Sequence, residues 1–116
     1  MNLNTFLRQG TFDEPGVGEQ VAELLRNREE IRRARAFPYQ LLAAYRNCDS
    51  RVPATVRDAL QDAMEIAIEN VPAVQGQIYV CPDVSGSMRS PVTGFRKGAS
   101  TAVQCVDVAA LAIVAL

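Results

Sequence analysis

The chain has 116 residues, of which 48% are hydrophobic and 22% charged, a composition typical of one globular domain with a modest core. Its 12 basic and 13 acidic residues give a formal net charge of −1, which excludes a strongly basic arm held on nucleic acid by charge alone. The sequence contains no histidine, so Ser–His or Cys–His catalysis within the chain and histidine-ligated metals are also excluded.

The first part of the chain, residues 1–75, predicts short helices separated by turn-forming residues. Apolar residues recur there at helical spacing, and Pro38 follows Phe37 where a new helix should start. Successive short helices of this kind are typical of an α-solenoid repeat, although no convincing repeat period is visible. The predicted helices cover Val17 to Leu25, Asn27 to Ala36, Tyr39 to Tyr45 and about Pro53 to Asn70.

The pattern changes after Gly76. Gln77 to Cys81 is a short β-prone run, as expected for a buried parallel strand. A polar loop follows as far as about Gly98, and Ala99 to Leu116 predicts a helix that is apolar on most faces. Strand, loop and helix together predict that residues 76–116 form the opening β-α unit of an α/β domain.

The polar loop contains Asp83, Ser85 and Ser87 at alternate positions just past the predicted strand. One carboxylate and two hydroxyls offer hard oxygen ligands, which suit Mg²⁺ or Mn²⁺ and not zinc. Such a site would keep exchangeable water ligands, and an acidic group of a protein partner could replace one of them. In the alternative interpretation, Asp83 caps a turn and the serines bond to local backbone groups.

These residues lie in a stretch that resembles a known family. Ile78-Tyr-Val-Cys-Pro-Asp-Val-Ser-Gly-Ser-Met88 resembles the first strand and metal-ion-dependent adhesion motif (MIDAS) of von Willebrand factor A domains. Three segments before it are similar to the last helical repeats of the Ro (TROVE-domain) RNA-binding proteins: Asn2 to Asp13, Ala36 to Leu41 and Ala59 to Ala63.

The resemblance implies a mixed α and α/β fold. The end of a HEAT-like helical-repeat ring (residues 1–75) would be followed by the first β-α unit of a Rossmann-like von Willebrand factor A domain (residues 76–116) that is incomplete, so the chain looks truncated. It also implies a cytoplasmic ribonucleoprotein component that binds Y RNA or misfolded small RNAs in RNA quality control. Of the family's metal ligands, Asp83, Ser85 and Ser87 carry over, whereas the later threonine and aspartate positions do not exist here.

An arginine cluster is the candidate RNA contact. The planar guanidinium suits phosphate recognition. In the alternative interpretation the cluster is a solvated helix face, with Glu29 and Glu30 reaching Arg33 at helical spacing. The candidate residues are Arg26, Arg28, Arg32, Arg33 and Arg35.

Three functions remain open on sequence grounds. The favoured one is RNA binding, with a small non-coding RNA as partner and no DNA. No membrane partner is expected either, because the longest apolar run, Val108 to Leu116, is too short to span a bilayer. The alternative is a metal-dependent adhesion module that grips an acidic protein. A hydrolase using Ser85 or Ser87 is disfavoured because no general base accompanies them, so we expect no enzymatic activity.

Cysteines and aromatic residues receive structural interpretations. The three cysteines lack any CxxC spacing, which favours reduced and mostly buried thiols. Three aromatic residues could stack on bases, but their helical spacing favours the core. The cysteines are Cys48, Cys81 and Cys105, and the aromatic residues are Phe37, Tyr39 and Tyr45.

Overall fold

A computed structural model describes residues 2–95, residue 97 and residues 102–116. Within these residues the regular structure is helical. Its α-helices are α1 (Leu3–Arg8), α2 (Val17–Leu25), α3 (Arg28–Ala34), α4 (Pro38–Arg46), α5 (Ala54–Ile68) and α6 (Cys105–Ala115), with 3₁₀ turns at Thr11–Asp13 and Gly86–Arg89. The four helices expected between Val17 and Asn70 are therefore confirmed as α2 to α5.

Local polar contacts explain where two of these helices begin. The Asn27 side chain accepts a hydrogen bond from the Glu30 backbone N–H at 3.2 Å, which caps α3. At the start of α4, Pro38 occupies the first helical position, and the Gln40 side-chain oxygen accepts from the Phe37 N–H at 3.0 Å. Both helices thus start where the sequence places a good capping residue or a proline.

Helix α5 is the central element of the core. Its apolar stripe, which includes Val56, Ala59 and Leu60, is buried against α2 and α4. Leu25 of α2 and Val52, in the turn before α5, complete the same cluster. Because Ala59 carries only a methyl group, the neighbouring helices can approach α5 closely.

A second, smaller cluster attaches α3 to the other end of α5. Ile31 packs there on Ala63 and Ala67. The Asn70 amide donates to the carbonyl oxygens of Ile31 (3.2 Å) and Ala36 (2.9 Å), so the residues after α5 satisfy the C-terminal end of α3. These contacts fix which face of α3 points outward.

The predicted α/β unit is wrong. Gln77 to Cys81 has no regular structure, and the described residues contain no strand, only an isolated bridge between Pro91 and Gln104. Tyr79 is 81% exposed, and Cys81 is exposed as well, contrary to the expected buried strand thiol. A parallel strand exists only when neighbours accept its backbone hydrogen bonds, and the described chain offers none to this run. The described part of residues 76–116 therefore contains no Rossmann-like unit. The boundary between residues 75 and 76 stays a prediction.

Helix α6 lies against α4. It begins at Cys105, and residues 102–104 before it are not helical. The expected start at Ala99 lies outside the described residues. Arg46 of α4 forms a two-pronged ion pair with Asp107, Nη1 to Oδ2 at 2.8 Å and Nη2 to Oδ1 at 2.9 Å. The Asp107 carboxylate also accepts the Gln104 N–H at 2.8 Å, so one side chain both caps α6 and ties it to α4.

Two of the aromatic residues are not in the core. Phe37 and Tyr39 are 44% and 38% exposed, contrary to the expected burial, because the first turn of α4 lies at the edge of the bundle. Tyr45 packs partly against the main core, and its hydroxyl oxygen accepts a hydrogen bond from the Gln61 amide at 2.9 Å. Cys48 and Cys105 are half-buried free thiols.

Candidate functional site

Helix α3 presents an exposed arginine surface. Since Ile31 faces α5, the arginines on either side of it project towards solvent, and the side chains of Arg28, Arg32 and Arg33 are 64%, 66% and 78% exposed. Arg35 follows the helix with φ = 48°, a left-handed conformation that favours glycine. We call Arg26, Arg28, Arg32, Arg33 and Arg35 the arginine surface.

Carboxylates accompany most of this surface. Arg33 bonds to Glu30 within α3 at 2.7 Å, as the alternative interpretation of the sequence expected. The other ion pairs cross to α5 and its C-terminal end: Arg26 Nε bonds to Asp62 Oδ2 at 2.6 Å, and Glu69 bonds to Arg28 and lies 3.7 Å from Arg32 Nη2. Exposed pairs of this kind contribute about 0 to 1 kcal/mol each.

Asp62 and Glu69 are residues of the candidate site that the sequence reasoning missed. Asp62 lies in α5 and Glu69 is its C-cap; they are two helical turns apart and so lie on the same side of the helix, adjacent to its apolar stripe. That periodicity was a readable signal. The periodicity does not show that Ile31 packs on Ala63 and Ala67, the contact that brings α3 within reach of these carboxylates.

The polar loop brings Asp83, Ser85 and Ser87 together. Asp83 Oδ1 accepts the Ser85 backbone N–H at 2.8 Å, and the hydroxyl oxygens of Ser85 and Ser87 lie 3.0 Å apart. All three residues are exposed. The Ser85 backbone hydrogen bond, and after it that of the Ser85 side chain, lowers the pKa of Asp83, so the carboxylate is ionised at neutral pH.

The donor set of this loop fits a hard cation, with water completing the coordination. Its single carboxylate is ionised and its two hydroxyl oxygens are adjacent, which suits Mg²⁺ or Mn²⁺. No cluster of three or more acidic or thiol residues with metal-binding geometry occurs in the part of the chain that the structure describes. The bond from the Ser85 N–H to Asp83 also closes an Asx turn, as the alternative interpretation expected of Asp83, whereas the two serine hydroxyls bond to each other.

Comparisons with protein-family models, with curated proteins and with solved structures found no match. The resemblance to Ro proteins therefore stays a prediction from the residues quoted above. None of the described helices is both long and apolar enough to cross a membrane.

Proposed function

We propose that the chain is a non-enzymatic component of a cytoplasmic ribonucleoprotein, similar to Ro proteins, and that the arginine surface contacts the backbone of a small non-coding RNA such as a Y RNA or a misfolded small RNA. The observation that carries this proposal is the concentration of five arginines at and around one exposed helix. Guanidinium groups bind phosphate through two parallel hydrogen bonds, and phosphate contacts supply much of the affinity for RNA.

The ion pairs of the surface are compatible with this function. They are exposed and individually weak, so a phosphate can replace a carboxylate without a large loss of stability. Arg35 adds support, because a left-handed backbone costs a non-glycine residue about 1 kcal/mol and glycine would avoid that cost. An arginine at this position favours a role for its side chain.

Replacing Arg33 and Arg35 by glutamine is expected to weaken RNA binding about 25-fold at 0.1 M salt. Neither arginine pairs with α5, so the change should leave the packing of α3 intact. Losing two phosphate contacts lowers the slope of log K against log salt by about 1.4 for a single strand, which is a factor of about 25 at 0.1 M. Fluorescence anisotropy with a labelled 20-nucleotide poly(U) RNA between about 0.05 and 0.3 M salt measures both quantities.

The matched control replaces Arg8 and Arg89, which lie outside the arginine surface, by glutamine. This variant loses the same charge and should keep the salt slope of the wild type. Equal losses in the two variants, or binding that ignores salt, would contradict the assignment of RNA binding to the arginine surface.

A second candidate function is metal-dependent adhesion at the polar loop, with an acidic protein as partner. The close approach of the Asp83 carboxylate to Ser85, and of Ser85 Oγ to Ser87 Oγ, favours it. When bound, Mg²⁺ or Mn²⁺ would supply a Lewis-acidic position for a partner carboxylate. Asp83, Ser85 and Ser87 would hold the ion.

Added Mg²⁺ is expected to raise the melting temperature by about 5 °C at ten times its Kd. Binding to the native state alone then adds about 1.4 kcal/mol of stability. Replacing Ser85 and Ser87 by alanine should abolish the shift, whereas replacing Ser90, an exposed serine of the same loop region, should preserve it. A thermal melt followed by circular dichroism, with Mg²⁺ and then with chelator, decides the question, and an identical metal response in both variants counts against this site.

A further inference from the structure

The arginine surface and the carboxylates of α5 form one charged groove. It has a volume of about 500 Å³ and is lined by Arg26, Arg28, Asp62, Glu65, Ile66 and Glu69. Three of the five arginines of the surface contact carboxylates across this groove: Arg26 contacts Asp62, whereas Arg28 and Arg32 share Glu69. A phosphate that binds any of these three guanidinium groups therefore competes with a carboxylate that already neutralises part of its charge.

We propose that Asp62 and Glu69 are specificity-determining residues that make the surface select a polyanionic strand over an isolated phosphate. This inference rests on the RNA-binding function proposed above. A single phosphate that replaces Glu69 exchanges one anion for another and leaves the displaced carboxylate beside it, so its net gain is small. A strand overcomes this competition because it also contacts Arg33 and Arg35, which no carboxylate of α5 holds, and because it releases several counterions together.

A purely structural role for the two carboxylates makes a different prediction. If the ion pairs only fastened α3 to α5, neutralising them would loosen α3 and leave RNA affinity unchanged or lower. If they compete with phosphate, neutralising them raises affinity even though it removes contacts. The packing of Ile31 on Ala63 and Ala67 and the two hydrogen bonds from Asn70 hold α3 in place without them.

The test compares the full chain with the isosteric variant Asp62→Asn/Glu69→Gln. We expect the double variant to bind a labelled 20-nucleotide poly(U) RNA about tenfold more tightly than the wild type, since each competing pair accounts for up to about a factor of five. Binding of inorganic phosphate, followed by NMR shifts of the α3 amides, should become measurable only in the variant. Glu65→Gln is the matched control, because Glu65 lines the same groove but forms no ion pair within the described residues; it should change RNA affinity less than about twofold.

The outcomes separate the inference from the function on which it rests. Unchanged or weaker RNA binding by the double variant, beside measurable binding by the wild type, overturns the inference and leaves the proposed function standing. A gain in log K for Glu65→Gln equal to that for Asp62→Asn or Glu69→Gln alone also overturns it, because each of these variants removes one negative charge and the effect would then be one of net charge. Absence of RNA binding in all variants removes the proposed function and the inference together. If the double variant does not fold, Asp62→Asn and Glu69→Gln are measured singly, with about half of the gain in log K expected from each.

Discussion

Replacing Leu60 by alanine is expected to lower the free energy of unfolding by about 3 kcal/mol. Leu60 is 1% exposed and belongs to the main core cluster, where α5 meets α2 and α4. Truncating a buried leucine removes the transfer free energy of its side-chain carbons and leaves a cavity that helices on two sides cannot both close. A domain of this size has a total stability of about 5 to 15 kcal/mol, so this one change removes a large share of it.

Urea denaturation followed by the helical circular dichroism signal measures this loss. Leu24→Ala is the matched control, because Leu24 belongs to α2 but is 63% exposed; its expected effect is below about 0.5 kcal/mol. A loss below about 1 kcal/mol in Leu60→Ala would mean that α5 is not the centre of the core. Similar losses in both leucine variants would contradict the orientation of α2 as well.

The helices between Val17 and Ile68 were predictable because their signals are local. Apolar residues at helical spacing define a face, and side chains such as Asn27 and Gln40 satisfy the first backbone N–H groups where α3 and α4 begin. The stripe through Val56 and Leu60 is the strongest of these patterns, and it forms the centre of the main core cluster. Local helix preference and tertiary packing favour the same structure there, so the helix could be predicted from the sequence.

Local signals could not decide whether Gln77 to Cys81 forms a strand. A run of β-prone residues becomes a strand only through hydrogen bonds to neighbouring strands. Whether such strands are available is not visible in the run itself. In the described residues Ile78, Tyr79 and Val80 instead stay exposed in an irregular segment. The same limitation applies to the arginine surface, where the sequence indicated Glu30 with Arg33 but not the contacts of Glu69, which depend on how α3 packs on α5.

Replacing Arg46 by methionine is expected to release α6 from α4 without unfolding the other helices. Arg46 donates two hydrogen bonds to the Asp107 carboxylate and a third to the Ala102 carbonyl at 3.0 Å. The Asp107 side chain is 17% exposed, so an unpaired carboxylate there is poorly hydrated. Losing these charge-assisted contacts should cost about 2 kcal/mol of docking free energy, which corresponds to about 30-fold faster amide exchange between Cys105 and Ala115.

Hydrogen–deuterium exchange resolves this effect because it reports each helix separately. Exchange in α5 should stay at the wild-type rate, since its core cluster does not include α6. Arg51→Met is the matched control: among the described residues Arg51 forms an ion pair only with the nearby Asp49, at 2.9 Å, and its side chain is 73% exposed, so its loss should leave α6 protected. Faster exchange in all helices of Arg46→Met would mean that α6 unfolds together with the bundle. Unchanged exchange in α6 would mean that apolar contacts between α6 and the first turn of α4 hold it alone, and that the Arg46–Asp107 pair contributes no more than an exposed ion pair does.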